Sequence, residues 1–117
     1  MRLLQLLFST KGRVPKSMYW YAYFGLVAIF MIAEFLDSAI GTLNVRTNIG
    51  LLGTIVFLLS LIPFFIIQIK RCHDRDRSGW FLLIYLIPVA GLVVFYELGF
   101  LNGTVGENKY GPDPLSN

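Results

Sequence analysis

The stretch Lys70-Arg71-Cys72-His73-Asp74-Arg75-Asp76-Arg77-Ser78-Gly79-Trp80 stands between two long apolar runs. It gathers four bases, two acids, the single histidine and the single cysteine of the chain. The flanking runs are too apolar to fold comfortably in water, so the placement of this polar stretch against a bilayer decides the fold.

On its N-terminal side, residues 49–69 hold no ionisable side chain over 21 positions, enough to span the hydrocarbon. On its C-terminal side, residues 80–101 are expected to form another span, interrupted by Pro88 and Gly91 and carrying Glu97 near its far end. Further out, a connection over 41–48 holds Arg46, and residues 17–40 form a span of about 36 Å. Its first turns, Tyr19, Trp20, Tyr21 and Tyr23, are suited to the water boundary; Glu34 and Asp37 lie near its end. Before it, Lys11, Arg13 and Lys16 with Gly12 and Pro15 make a basic turn, and Ser17 is placed to cap the helix. The opening MRLLQLLF is too short to span and too short for a signal-peptide core, so the mature chain is expected to start at Met1. It either lies along the membrane surface or is a frayed terminus. Residues 102–117 have no helical period and are expected to be an extended, exposed tail.

The expected fold class is therefore an all-α membrane protein: one domain over 1–117, three transmembrane helices, a basic loop between the second and third, and a polar tail. Composition agrees. Charged residues are 15% of 117 against about a quarter in soluble domains, and mean hydropathy is +0.64. A net charge of +3 placed beside apolar blocks points to anionic lipid head groups rather than nucleic acid. One cysteine excludes an internal disulfide.

Arg2, Lys11, Arg13 and Lys16 precede the first span, and Lys70, Arg71, Arg75 and Arg77 follow the second; Arg46 and Lys109 fall on the other side of a three-span chain. The positive-inside rule places the N-terminus and loop 70–79 in the cytoplasm and the C-terminus outside. Glu34, Asp37 and Glu97 would then form an outer rim with Arg46 as nearest cation, hydrated or paired. Pro63 and Pro88 lie at similar depths, each expected to free a carbonyl four residues earlier, at Leu59 and Ile84, and together to open a small cytoplasm-facing cavity. Gly50 and Gly53 suit close helix packing.

Cys72, His73 and Asp74 are zinc-ligand types, but a structural site needs about four converging ligands and the chain has no second histidine or cysteine. No metal, cofactor or catalytic residue is expected; Cys72 and His73, as neighbours, point apart and lack an orienting third group. If the second helix runs a turn further, Lys70, His73, Asp74 and Arg77 share a face, with Asp74 paired to Lys70 and Arg77. Alternatively Asp74 ties the helix end to Ser78 and Gly79, and the bases set topology alone. The functional alternative has Arg71, Arg75 and Arg77, beside Trp80, binding lipid phosphate or an acidic segment of a partner.

Three stretches together resemble one family, the small bacterial inner-membrane proteins of the "domain of unknown function 805" group, the YhaH-like proteins. Gly12-Arg13, Lys16 and Tyr19-Trp20 resemble its G-R-x-x-R-x-x-F-W motif. Residues 71–80 resemble its R-L-H-D-x-x-R-S-G-W loop, with Cys72 in place of leucine and Arg75-Asp76 in place of a small or neutral pair. Gly106, Asn108, Tyr110, Gly111, Pro112, Asp113 and Pro114 resemble its G-x-N-x-Y-G-P-D-P tail, a rigid turn or a docking surface. The resemblance implies a multi-pass inner-membrane protein and carries no activity with it.

The function expected is a non-enzymatic accessory or interaction protein whose basic loop engages anionic lipid or a partner, self-association included. The alternative is a small oligomeric channel or transporter using the carboxylates and proline kinks; a membrane-embedded enzyme using His73 and Asp74 ranks last.

Overall fold

A computed structural model describes residues 3–115. A short helix α1 (Leu3–Phe8) precedes α2 (Lys16–Ile40), a two-residue strand pair β1 (Leu43–Asn44) and β2 (Ile49–Gly50), and α3 (Leu51–Asp74). A 3-10 helix (Gly79–Leu86) and α4 (Ala90–Phe100) complete the elements.

The helices α2 and α3 are the two elements long and apolar enough to cross a membrane, at 25 and 24 residues. Each covers about 36 Å at the helical rise. They form a hairpin closed by antiparallel pairing of Leu43 with Gly50 and Asn44 with Ile49. The bend is held by Asn44, whose side-chain oxygen accepts from the amides of Arg46 and Thr47. Helix α2 ends on Gly41 in the left-handed region (φ 84°), its amide donating to the Asp37 carbonyl. At the other end Pro15 stands at the cap, its carbonyl accepting from the Tyr19 amide, and Ser17 lies inside the helix.

Helix α3 continues five residues past the expected end at 69, so Lys70 to Asp74 are helical and the connection shrinks to 75–78. Pro63 sits within it, buried.

The expected third span, residues 80–101, is not one continuous helix. Pro88 has no amide to donate, and the residue before it, Ile87, is driven to extended geometry (φ −98°, ψ 119°). Val89 follows at φ 71°, a strained conformation for a β-branched residue, and the chain turns back. The eight-residue 3-10 leg covers about 16 Å at 2.0 Å per residue, and the 11-residue α4 about 16 Å at 1.5 Å. The two legs are of equal length, each about half the hydrocarbon thickness, and fold back as a hairpin that brings Glu97 to Arg75 and Arg77. Ile84 is accordingly not a freed carbonyl; it accepts from the Ile87 amide.

The buried centre is small: Tyr19, Ile67, Cys72, Val94 and Leu98, drawn from α2, α3 and α4. Most large apolar side chains of α2 and α3, such as Phe24, Met31, Phe35 and Leu59, are exposed, as lipid-facing helix surfaces are.

Candidate functional site: the basic end

Helix α4 ends with carbonyls that have no partner within the helix, and cations and donors from elsewhere cover them. Arg71 donates from Nε to the Leu98 carbonyl (2.5 Å) and from Nη2 to the Leu101 carbonyl. Trp20 donates its indole N–H to the Gly99 carbonyl (2.6 Å), with its ring so close that a Cβ on Gly99 would lie 2.8 Å from it. Lys16 reaches the Phe100 carbonyl at 3.5 Å, and Arg75 reaches that of Asn102. The negative end of the helix dipole is thus ringed by positive charge.

Asp74 holds this ring together. Its Oδ2 accepts from Arg71 Nη1 (2.5 Å) and its Oδ1 from Arg13 Nε (3.0 Å), while its backbone carbonyl takes the Thr104 amide at 2.7 Å. The three side chains are buried, with Arg71, Asp74 and Arg13 at 0%, 2% and 4% exposure. Arg13 spends its other N–H groups on the carbonyls of Thr104, Gly106 and Gly111. The N-terminal turn, the end of α3 and the tail are therefore one polar knot.

The tail packs rather than extends. Tyr110 stacks on His73 with centroids 4.0 Å apart, His73 donates from Nδ1 to the Gly12 carbonyl, and Asn108 donates to the His73 carbonyl. Asn108 and Gly111 bridge across a turn, and Asp113 accepts from the amides of Gly106 and Leu115. Those two amides hold the Asp113 carboxyl below the usual carboxylate range. Pro112 and Pro114 flank it, with Pro112 exposed and Pro114 half-buried.

Several expected placements are overturned by this geometry. Asp74 pairs with Arg13 and Arg71 rather than with Lys70 and Arg77 or with Ser78 and Gly79. Lys70, fully buried, donates to the Gln5 carbonyl. Glu97 lies at the basic end, accepting from Arg75 (3.0 Å) and Arg77 (2.8 Å), because α4 has come back. Lys109, over the Tyr110 ring, also belongs to this end, where tail residues 104–111 contact Arg13 and His73, whereas the expected place of the C-terminal tail is the end opposite the N-terminal turn. Arg2 lies outside the described residues.

At the far end Asp37 is fully buried and caps α3, accepting from the amides of Leu52 and Gly53 at 2.8 Å each and from the Thr42 hydroxyl at 2.5 Å. Arg46 is exposed on the strand turn and pairs with neither acid among the described residues. Gly50 and Gly53 are close-packing points: a Cβ on Gly50 would lie 2.0 Å from Asp37 Oδ2, and one on Gly53 1.7 Å from Glu34 Oε1.

Outward at the basic end are Lys11, Lys16, Asp76, Arg77, Ser78, Glu107 and Lys109, with Gly79 half-buried and Trp80 77% exposed. Arg77 also lies over the Phe81 ring at 4.4 Å. Beside them opens a cavity of about 930 Å³ between α2, α3 and the hairpin of residues 79–100. Its walls include Tyr19, Tyr23, Phe64, Trp80, Tyr85 and Phe95, and His73 and Gln68 reach it. Among the described residues no three His, Cys, Asp or Glu side chains converge to hold a metal; Cys72 faces the apolar centre.

A model of the family described as "Protein of unknown function (DUF805)" matches residues 7–112. The chain belongs to the DUF805 family. Its relatives include the inner membrane protein YhaH of Escherichia coli K12, 34% identical over 89% of this chain and 85% of that protein. The inner membrane protein YhaI of the same strain is 29% identical over 88% and 83%, and its Uncharacterized protein YiiR 30% identical over 97% and 90%. No solved structure gives a significant match. This DUF805 protein is a bacterial inner-membrane protein with apolar helices of membrane-spanning length.

The three stretches that resemble the family's motifs, far apart in sequence, are the three segments that meet in the knot. Reading the residues alone missed the carbonyls they serve, the bond from Trp20 to Gly99, and Gln68. The one available signal was the uneven turn chemistry of 87–89, where a proline-preceding isoleucine breaks an otherwise apolar helix.

Proposed function

We propose that the protein is an accessory membrane protein with two crossings and a re-entrant hairpin, whose basic end faces the cytoplasm and engages anionic phospholipid. The observation that carries this is the segregation of charge. Among the described residues, every lysine and arginine except Arg46 gathers at the end holding the N-terminal turn and the tail. That asymmetry is the one that keeps a loop cytoplasmic. Arg13 and Arg71 are consumed inside, so the outward cations are Lys11, Lys16, Lys109 and the outer face of Arg77, next to the exposed Trp80 and with Asp76 and Glu107 the exposed acids of the same end. An indole at the head-group level beside two or three cations suits a phosphate on a lipid.

Native mass spectrometry of the protein released from mixed micelles of phosphatidylglycerol and phosphatidylcholine tests this. Retained lipid is expected to be mainly the anionic one, and Lys11→Gln with Arg77→Gln to reduce that preference several-fold, as does high salt. Equal retention of both lipids by the unaltered protein removes the reading.

A further inference from the structure

The hairpin of residues 79–100 makes the two halves of the molecule unequal in width. It shares one buried cluster with Tyr19 of α2 and with Ile67 and Cys72 of α3, and its Phe95 meets Trp20 edge-on at 5.8 Å. All of these partners lie in the half of each long helix nearest the basic end. In the far half, Met31, Ile32 and Phe35 of α2 and Ile55, Leu58 and Leu59 of α3 are exposed. The basic half therefore sets four helical segments side by side and the far half two. With each helix about 10 Å across, the basic half has roughly twice the cross-section.

The hairpin is suited to stop in the middle of the hydrocarbon. Residues 80–96 carry no charged side chain, and each leg covers about half of the 30 Å apolar layer. Around the tip, the carbonyls of Ile84, Ile87, Pro88 and Val89 accept the amides of Ile87, Gly91, Ala90 and Leu92, all within the hairpin. Irregular backbone at that depth needs such internal bonds, because lipid offers no hydrogen-bond partner. The side chains outside them, Leu86, Ile87, Val89 and Leu92, are apolar and exposed.

We propose that the protein is a wedge in the leaflet at its basic end and that it favours membrane convex toward that end. Four helical segments displace lipid in that leaflet and two in the other, so the mismatch is relieved where the wider side is given more area, the physical origin of a curvature preference. The inference rests on the two-crossing reading above and is independent of the anionic-lipid one.

The test uses the full chain in giant vesicles of phosphatidylcholine alone. Arg46→Cys or Val105→Cys, both exposed positions, carries a nitrobenzoxadiazole label in a Cys72→Ala background. If Cys72→Ala does not fold, Cys72 is kept, since its thiol is buried. External dithionite bleaches outward-facing labels. The surviving Arg46→Cys signal then reports chains with the basic end outside, and the surviving Val105→Cys signal chains with it inside. A thin tube pulled from the vesicle is convex outward. Relative to a lipid dye, the first population is expected to be enriched in the tube, with a tube-to-parent ratio above one, and the second depleted, with a ratio below one. Equal or reversed ratios overturn the wedge, because thickness mismatch, or a second copy covering the far half, acts alike on both orientations. Maleimide labelling of the same two positions in inside-out cell vesicles separates two kinds of failure. Both positions on one face end the two-crossing reading and the wedge with it, while opposite faces with equal ratios end the wedge alone.

Discussion

The two ends of this molecule solve the same problem, uncovered helix termini, in opposite ways. At the far end a single carboxylate, Asp37, covers the first amides of α3 from a helix that lies 15 residues upstream in the chain. At the basic end, Arg13, Lys16, Trp20, Arg71 and Arg75 converge on the last carbonyls of α4 and the tail, from partners up to 98 residues away. The far end closes a hairpin that local sequence already favours. The basic end closes the whole fold, and one acid, Asp74, is the shared carboxylate partner of two buried guanidinium groups there.

That contrast sets the largest expected effect. Asp74→Asn leaves Arg13 and Arg71 buried without a counter-charge and is expected to cost about 3–5 kcal/mol. Asp37→Asn leaves one amide of α3 facing a donor and is expected to cost about 1–3 kcal/mol. Denaturant unfolding in detergent measures both, and equal losses would erase the distinction between the ends.

A Cβ tests the same pair of sites sterically. Gly103 would place one 1.9 Å from Asp74 Oδ2, and Gly50 one 2.0 Å from Asp37 Oδ2. Each substitution to alanine is expected to cost about 1–3 kcal/mol. Gly103→Ala should also open the tail to protease, while Gly50→Ala should leave the tail protected.

Trp20→Phe keeps the ring contacts but removes the donor to Gly99, an expected loss of about 1 kcal/mol by thermal unfolding. A loss several times larger would mean that the indole does more than cover α4.

The smallest effect is on pH. The amides of Gly106 and Leu115 lower the Asp113 pKa in the fold, so the stability it contributes is present above its ordinary value near 3.8 and fades as pH falls through the lowered value. Hydrogen exchange at Gly106 should therefore quicken relative to an exposed amide only below about pH 4. Asp113→Asn should remove that dependence.

Much of the frame was legible in the residues. Residues 17–40 and the run from 49 onward carry their spans in plain apolar length, and Gly50 and Gly53 announced the close approach that the structure shows. The 80–101 stretch misled because its hydropathy suits a span while its backbone does not; one missing amide at Pro88 and an extended Ile87 divide it into two equal legs. Once it turned back, Glu97, Lys109 and the tail changed ends together. Partners at the basic end were illegible for another reason: guanidinium groups that bond backbone carbonyls leave no trace in side-chain pairing patterns.

The central claim is that residues 79–100 enter and leave on one side. Single cysteines at Lys11, Arg46 and Val105, all exposed, in a Cys72→Ala background, can be labelled with a membrane-impermeant maleimide in sealed inside-out vesicles. The account predicts that Lys11→Cys and Val105→Cys react together from one face while Arg46→Cys is protected. Val105→Cys reacting with the accessibility of Arg46→Cys, and opposite to Lys11→Cys, would contradict it.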